Sequence, residues 1–146
     1  MRRVLILIVL CSASFAACSG SSDDAAPETC SLSGDLEARQ DQLLDLVPRR
    51  SDQGVAPVQN ALVEGKTIRA AVGMGSGQEL DSIWVREEAS CVIVSGVVSP
   101  ANGGPAGHGD TGSVELDVPL GGRSLESMLG PVTLVTEEDW RGTPPG

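Results

Sequence analysis

His108 and Asp110, two positions apart, are the residues from which a proton-transfer site could be written, because His108 is the chain's only histidine. A catalytic histidine needs a rigid surround and an orienting partner. This one lies in a segment with five glycines between Gly103 and Gly112. The sequence therefore reads as a solvated loop, with His108 and Asp110 as candidate ligand contacts rather than catalytic groups. Gly65-Lys66-Thr67 has the tail of a phosphate-binding loop, but Asn60 stands where that pattern requires its first glycine. Gly73, Gly75 and Gly77 follow a strand at a G-x-G-x-G spacing and lead into another strand, which suits a hairpin loop and not a dinucleotide turn. Glu137-Glu138-Asp139 is the densest acid cluster; it lacks EF-hand spacing and reads as a solvated strand end. One histidine and no free thiol leave only hard carboxylates for a metal. No metal and no cofactor are expected.

The elements that would position these residues follow from periodicity. From Asp35, a plausible N-cap, Leu36, Leu43, Leu44 and Val47 fall on one helical face, and Pro48 stops the helix. A short second helix is expected from Pro57 to Glu64, with Gly65 as its stop. Thr67–Val72 and Ser82–Glu87 read as strands, and Cys91–Val98, apolar on both faces, as a central strand. Pro100 to Gly112 reads as a long Gly/Pro loop, and Val114, Leu116 and Val118 as alternate residues of a further strand. Ser124–Leu129 suggests helical turns, and Val132–Thr136 a last strand. Helix before strands predicts an α+β fold, with the helical segment packed on a mostly antiparallel sheet of about five strands. A small β-sandwich with a helical preface is the alternative. The globular domain is expected over 30–141, with a frayed tail at 142–146. Its core would be Val, Leu, Ile and Ala around Trp84, because there is no Tyr and the single Phe is Phe15.

The N-terminus is an address. Arg2 and Arg3 precede an apolar stretch from Val4 to Ala17 that is shorter than the roughly 20 residues of a spanning helix. Phe15-Ala16-Ala17-Cys18 resembles the lipobox of bacterial lipoproteins, although Phe15 stands where leucine is usual. The resemblance implies cleavage between Ala17 and Cys18, a diacylglyceryl group on the Cys18 thiol and anchoring on the extracytoplasmic face of the cell membrane. Residues 1–17 are then a signal peptide and 18–29 a flexible tether. The alternative is an ordinary signal peptide cut before Ala17, with Ser14-Phe15-Ala16 as its small-x-small site. Lipidation of Cys18 and loss of Cys11 leave an even pair, Cys30 and Cys91, expected to form a disulfide; ordinary cleavage leaves three cysteines.

Ten Lys and Arg against twenty Asp and Glu give a formal charge of −10, which disfavours a nucleic-acid partner. Loss of residues 1–17 removes two arginines and no acid, so the mature chain is more acidic still. The same charge keeps the domain off an anionic lipid surface, so attachment falls to the acyl chains, at about 0.8 kcal/mol per buried CH₂. The partner expected from these features is the lipid bilayer, through acylated Cys18. The function expected is a non-enzymatic binding or scaffold module for an envelope protein or small ligand. The alternatives are a carrier of small apolar ligands and a lipid-anchored hydrolase using His108 and Asp110.

Overall fold

Asp35 opens α1 (Leu36–Leu46) by accepting a hydrogen bond from the Ala38 N–H at 3.0 Å. The Val47 N–H closes the helix on the Leu43 carbonyl at 2.9 Å, immediately before Pro48. The computed structural model describes residues 29–101 and 107–142. The signal segment, most of the tether, Cys18 and residues 143–146 of the expected tail lie outside the described residues. None of the described helices is long and apolar enough to cross a membrane.

Nine strands follow among the described residues: β1 (Gly54–Ala56), β2 (Val58–Glu64), β3 (Thr67–Met74), β4 (Gln78–Glu87), β5 (Cys91–Pro100), β6 (His108–Glu115), β7 (Ser124–Ser127), β8 (Gly130–Pro131) and β9 (Thr133–Leu134). A second helix, α2 (Glu137–Gly142), closes the described chain. The first sheet runs β1-β5-β7-β8, with β4 also paired to β5; the second runs β6-β3-β2-β9. All pairings are antiparallel except β5 with β7 and β2 with β9.

β5 explains the layering. Successive strand side chains point to opposite faces. Val92, Val94 and Val98 join Ala61, Ile68, Ala70 and Val72 of the second sheet in one core. Cys91, Ile93 and Val97 point the other way, into a cluster with Leu32, Leu43, Val47 and Met128, against which Trp84 packs. The five-stranded sheet thus lies between α1 and the four-stranded sheet, which is why β5 is buried from Cys91 to Ser99. The two sheets approach closely at Gly96, where an added Cβ would lie 2.6 Å from Val72 Cγ1.

The α+β class holds, with a helical segment on a mostly antiparallel framework. The strands number nine in two sheets, not about five in one, because several segments read otherwise pair as strands. Val58–Glu64 is β2 and not a helix: it forms a hairpin with β3 in which Glu64 pairs Thr67, and Gly65, at φ +63°, serves a two-residue turn. Ser124–Ser127 is β7, held parallel to β5, and not a helical turn. β6 begins at His108, inside the expected loop, because its glycines pair across to β3. The last strand is only Thr133–Leu134. Glu137-Glu138-Asp139 is the first turn of α2: Thr136 Oγ1 donates to Asp139 Oδ2 at 2.7 Å and accepts from the Asp139 N–H at 3.3 Å. Leu36, expected on the buried helical face, is 52% exposed because the sheet meets α1 nearer its C-terminal end.

A Cys30–Cys91 disulfide ties the segment before α1 to β5. Beside it, Glu88 accepts from the Ser31 N–H at 2.8 Å and from the Ser31 hydroxyl, and pairs with Arg86 at 3.3 Å. Burial pushes the Glu88 carboxyl's pKa up, but the Ser31 bonds and the Arg86 charge together outweigh it and hold the group below its ordinary value of 4.5. A folded pKa below the unfolded one adds stability that is present above the unfolded value and is lost as pH falls through the folded one. Stability measured by urea unfolding is therefore expected to drop as pH falls below 4.5. Glu88→Gln should flatten the part of that drop due to Glu88, and an unchanged pH profile in the variant would contradict the assignment.

Candidate functional site

The outer face of the second sheet carries a pair of facing glycines. Gly73 of β3 stands directly opposite Gly109 of β6, and Ala71 opposite Thr111. Glycine inside a strand costs roughly 0.5–1 kcal/mol relative to alanine and packs nothing. Its presence often marks a place where a ligand or another backbone comes close. On the other side of β3, a register shift between Val58 and Asn60 displaces β2. Gln59 is laid across Gly73, since a Cβ there would lie 2.6 Å from Gln59 Nε2. Asn60 stands opposite Ala71.

β9 then runs parallel to β2 at Asn60 and Ala61, and the Val135 N–H donates to the Ala61 carbonyl at 2.9 Å. That placement brings α2 beside the strip and Trp140 to its border. The result is an open cleft of about 820 Å³, bounded by Asn60, Ala71, Gly73, His108, Asp110 and Trp140 among others. Among the described residues, Asn60 Oδ1 and His108 Nδ1 are buried without a hydrogen-bond partner; Asn60 leaves the sheet on the outer face, opposite Ala71, and His108 on the inner face, opposite Met74. Most buried polar groups are paired, so the Asn60 oxygen on the outer face calls for an explanation.

His108 and Asp110 both border this cleft, on a strand and not on a loop. Being two apart, they leave β6 on the same side, opposite Met74 and Val72, so their side chains face away from the Gly73–Gly109 face. Asp110 Oδ1 accepts from the Thr111 N–H at 2.7 Å, and among the described residues no hydrogen bond joins Asp110 to His108. Lys66 lies in the β2–β3 turn and donates from Nζ to the Asp117 carbonyl, away from any phosphate cradle. The acid cluster caps α2. The candidate lipidation site Cys18 lies outside the described residues.

The donor atoms of Cys30, Glu88 and Cys91 all lie within 4.8 Å of one another. In the disulfide both sulfurs are already bonded, and Glu88 is engaged by Ser31 and Arg86. The cluster is therefore a structural staple in this state.

Sequence reasoning did not single out Gln59, Asn60, Gly109 or Trp140 as site residues. The available signal was a pair of glycines, Gly73 and Gly109, each next to a strand-like segment. It becomes informative only once the two are known to face each other. No family model, curated protein or solved structure matches the chain.

Proposed function

We propose that the protein is a lipid-anchored module of a bacterial envelope that binds a small molecule in the cleft on its second sheet, without performing chemistry on it. The observation that carries this reading is the coincidence of three features at one place: a facing glycine pair, an aromatic border and a buried Asn60 Oδ1 with no partner among the described residues. A cleft of this size lies within the range of small-molecule sites, roughly 300–1,000 Å³. The lipobox-like signal and the acidic, Ser/Asp-containing segment after it support anchoring through Cys18.

The test is a fragment screen read by amide chemical shifts. Hits should gather on Gly73, Gly109 and the Trp140 indole. They should vanish in Gly109→Ile, whose Cβ meets only the Val72 carbonyl, at an ordinary 3.5 Å, while the rest of the side chain fills the cleft. Hits that cluster elsewhere, or that survive in a folded Gly109→Ile protein, would contradict the reading.

A further inference from the structure

We propose that the Cys30–Cys91 pair has a second state: once reduced, its two thiolates and the Glu88 carboxylate hold one Zn²⁺ ion. The inference is independent of the cleft. The donor atoms of the three residues already lie within 4.8 Å of one another. The sequence-based expectation of no metal counted both sulfurs as spent, and reduction returns them.

The turn between β4 and β5 brings the ligands together. The Glu88 N–H donates to the Cys91 carbonyl at 2.9 Å and closes that turn. Glu88 and Cys91 then have two residues between them, a spacing at which paired zinc ligands leave a turn. Cys30 reaches them from the segment before α1, with its Cα 5.6 Å from that of Cys91. Two sulfurs on one tetrahedral Zn²⁺ sit about 3.8 Å apart, for Zn–S bonds of about 2.3 Å. Side-chain rotation reaches that separation from this Cα spacing.

The carboxylate is already aimed at the sulfurs. Glu88 Oε2 lies 3.5 Å from Cys91 Sγ, and Ser31 holds both carboxylate oxygens through its N–H and its hydroxyl. Outer partners of this kind fix the orientation of a metal ligand. Thiolates favour zinc over Ca²⁺ and Mg²⁺, which take oxygen ligands. Two thiolates and one carboxylate leave a single negative charge on the zinc complex. Arg86, 3.3 Å from Glu88 Oε1, offsets it.

Cys91 is completely buried and Cys30 is only half-buried, so a reductant meets Cys30 first. One thiolate of a dithiol attacks Cys30 Sγ, and the Cys91 thiolate leaves. The second thiol of the reductant then displaces Cys30, and the reductant departs as its own disulfide. Zn²⁺ binding releases the two cysteine thiol protons to solvent.

The experiment uses the full chain with Cys11→Ser and Cys18→Ser, so that Cys30 and Cys91 are the only cysteines. Co²⁺ serves as the spectroscopic probe for Zn²⁺. After reduction by a phosphine, one Co²⁺ per chain should give a thiolate-to-metal charge-transfer band that Zn²⁺ abolishes and Ca²⁺ leaves intact. The oxidised protein should give none. Zn²⁺ should raise the melting midpoint of the reduced protein and leave that of the oxidised protein unchanged. Glu88→Gln should weaken binding by about tenfold. Amide spectra of the second sheet report whether each reduced protein is folded. Should Glu88→Gln not fold, Ser31→Ala, which removes only the hydroxyl that holds Glu88, should weaken binding severalfold in its place. No band in the reduced protein, one ion per two chains, unfolding despite Zn²⁺, or wild-type affinity in the folded variant would each overturn the proposal.

Discussion

Removing the Cys30–Cys91 disulfide, by Cys30→Ala with Cys91→Ala, is expected to lower the midpoint of thermal unfolding by on the order of 20 °C. The bridge joins residues 61 apart in sequence. In the chain-entropy treatment a loop of that length contributes roughly 4 kcal/mol, against a total stability of about 5–15 kcal/mol for a typical domain. The local setting adds to this. Cys91 is completely buried beside Ile93 and Leu43, and the chain after Cys30 is held by Ser31 on Glu88. Without the bridge, the segment leading into α1 keeps the Glu88 contacts and the burial of Leu32, and β5 loses its covalent link to the helix layer. Reduction of the wild-type protein should reproduce the variant's melting curve. A shift of only a few degrees in both would mean that the helix layer docks without the staple.

Leu43→Ala carries the second large effect, with an expected loss of about 3 kcal/mol and a melting midpoint lower by about 10–15 °C. Leu43 is the one α1 side chain with no exposed surface, and it packs with Leu32, Val47, Ile93, Val97 and Met128. That cost lies in the range for buried leucines. Leu36→Ala, on the same helix but largely exposed, should cost well under 1 kcal/mol. Equal effects at the two positions would show that α1 does not dock on the sheet by its C-terminal half. Calorimetry or urea unfolding of the two variants decides between these outcomes.

The parts of the fold legible in the sequence were those with strong, unambiguous local signals. Asp35 and Pro48 bracket α1, and the β-branched run of β5 announces a strand buried on both faces. β2 and β7 were not legible, because short apolar runs fit a helical turn or a strand equally well and only pairing decides. Gly65 and Gly130 illustrate the point: each looks like a helix stop, and each adopts positive φ where two strands turn. The Cys30–Cys91 pairing was reachable by cysteine arithmetic. Most of the cleft was not, since it depends on the register that sets Gly73 against Gly109, and on a parallel two-residue strand that carries Trp140 to Asn60. Neither register nor a two-residue strand leaves a periodic trace. His108 and Asp110 attracted attention for their chemistry, yet the neighbours of their strand in space come from β3 and β4.

The most direct measurement is the intact mass of the protein extracted from membranes, with alkylation before and after reduction. The expected species is a chain that begins at Cys18, carries a diacylglyceryl adduct, and gains two alkyl groups only after reduction, at Cys30 and Cys91. A lipid-free chain that begins at Ala17, with one cysteine alkylated before any reductant is added, would contradict it.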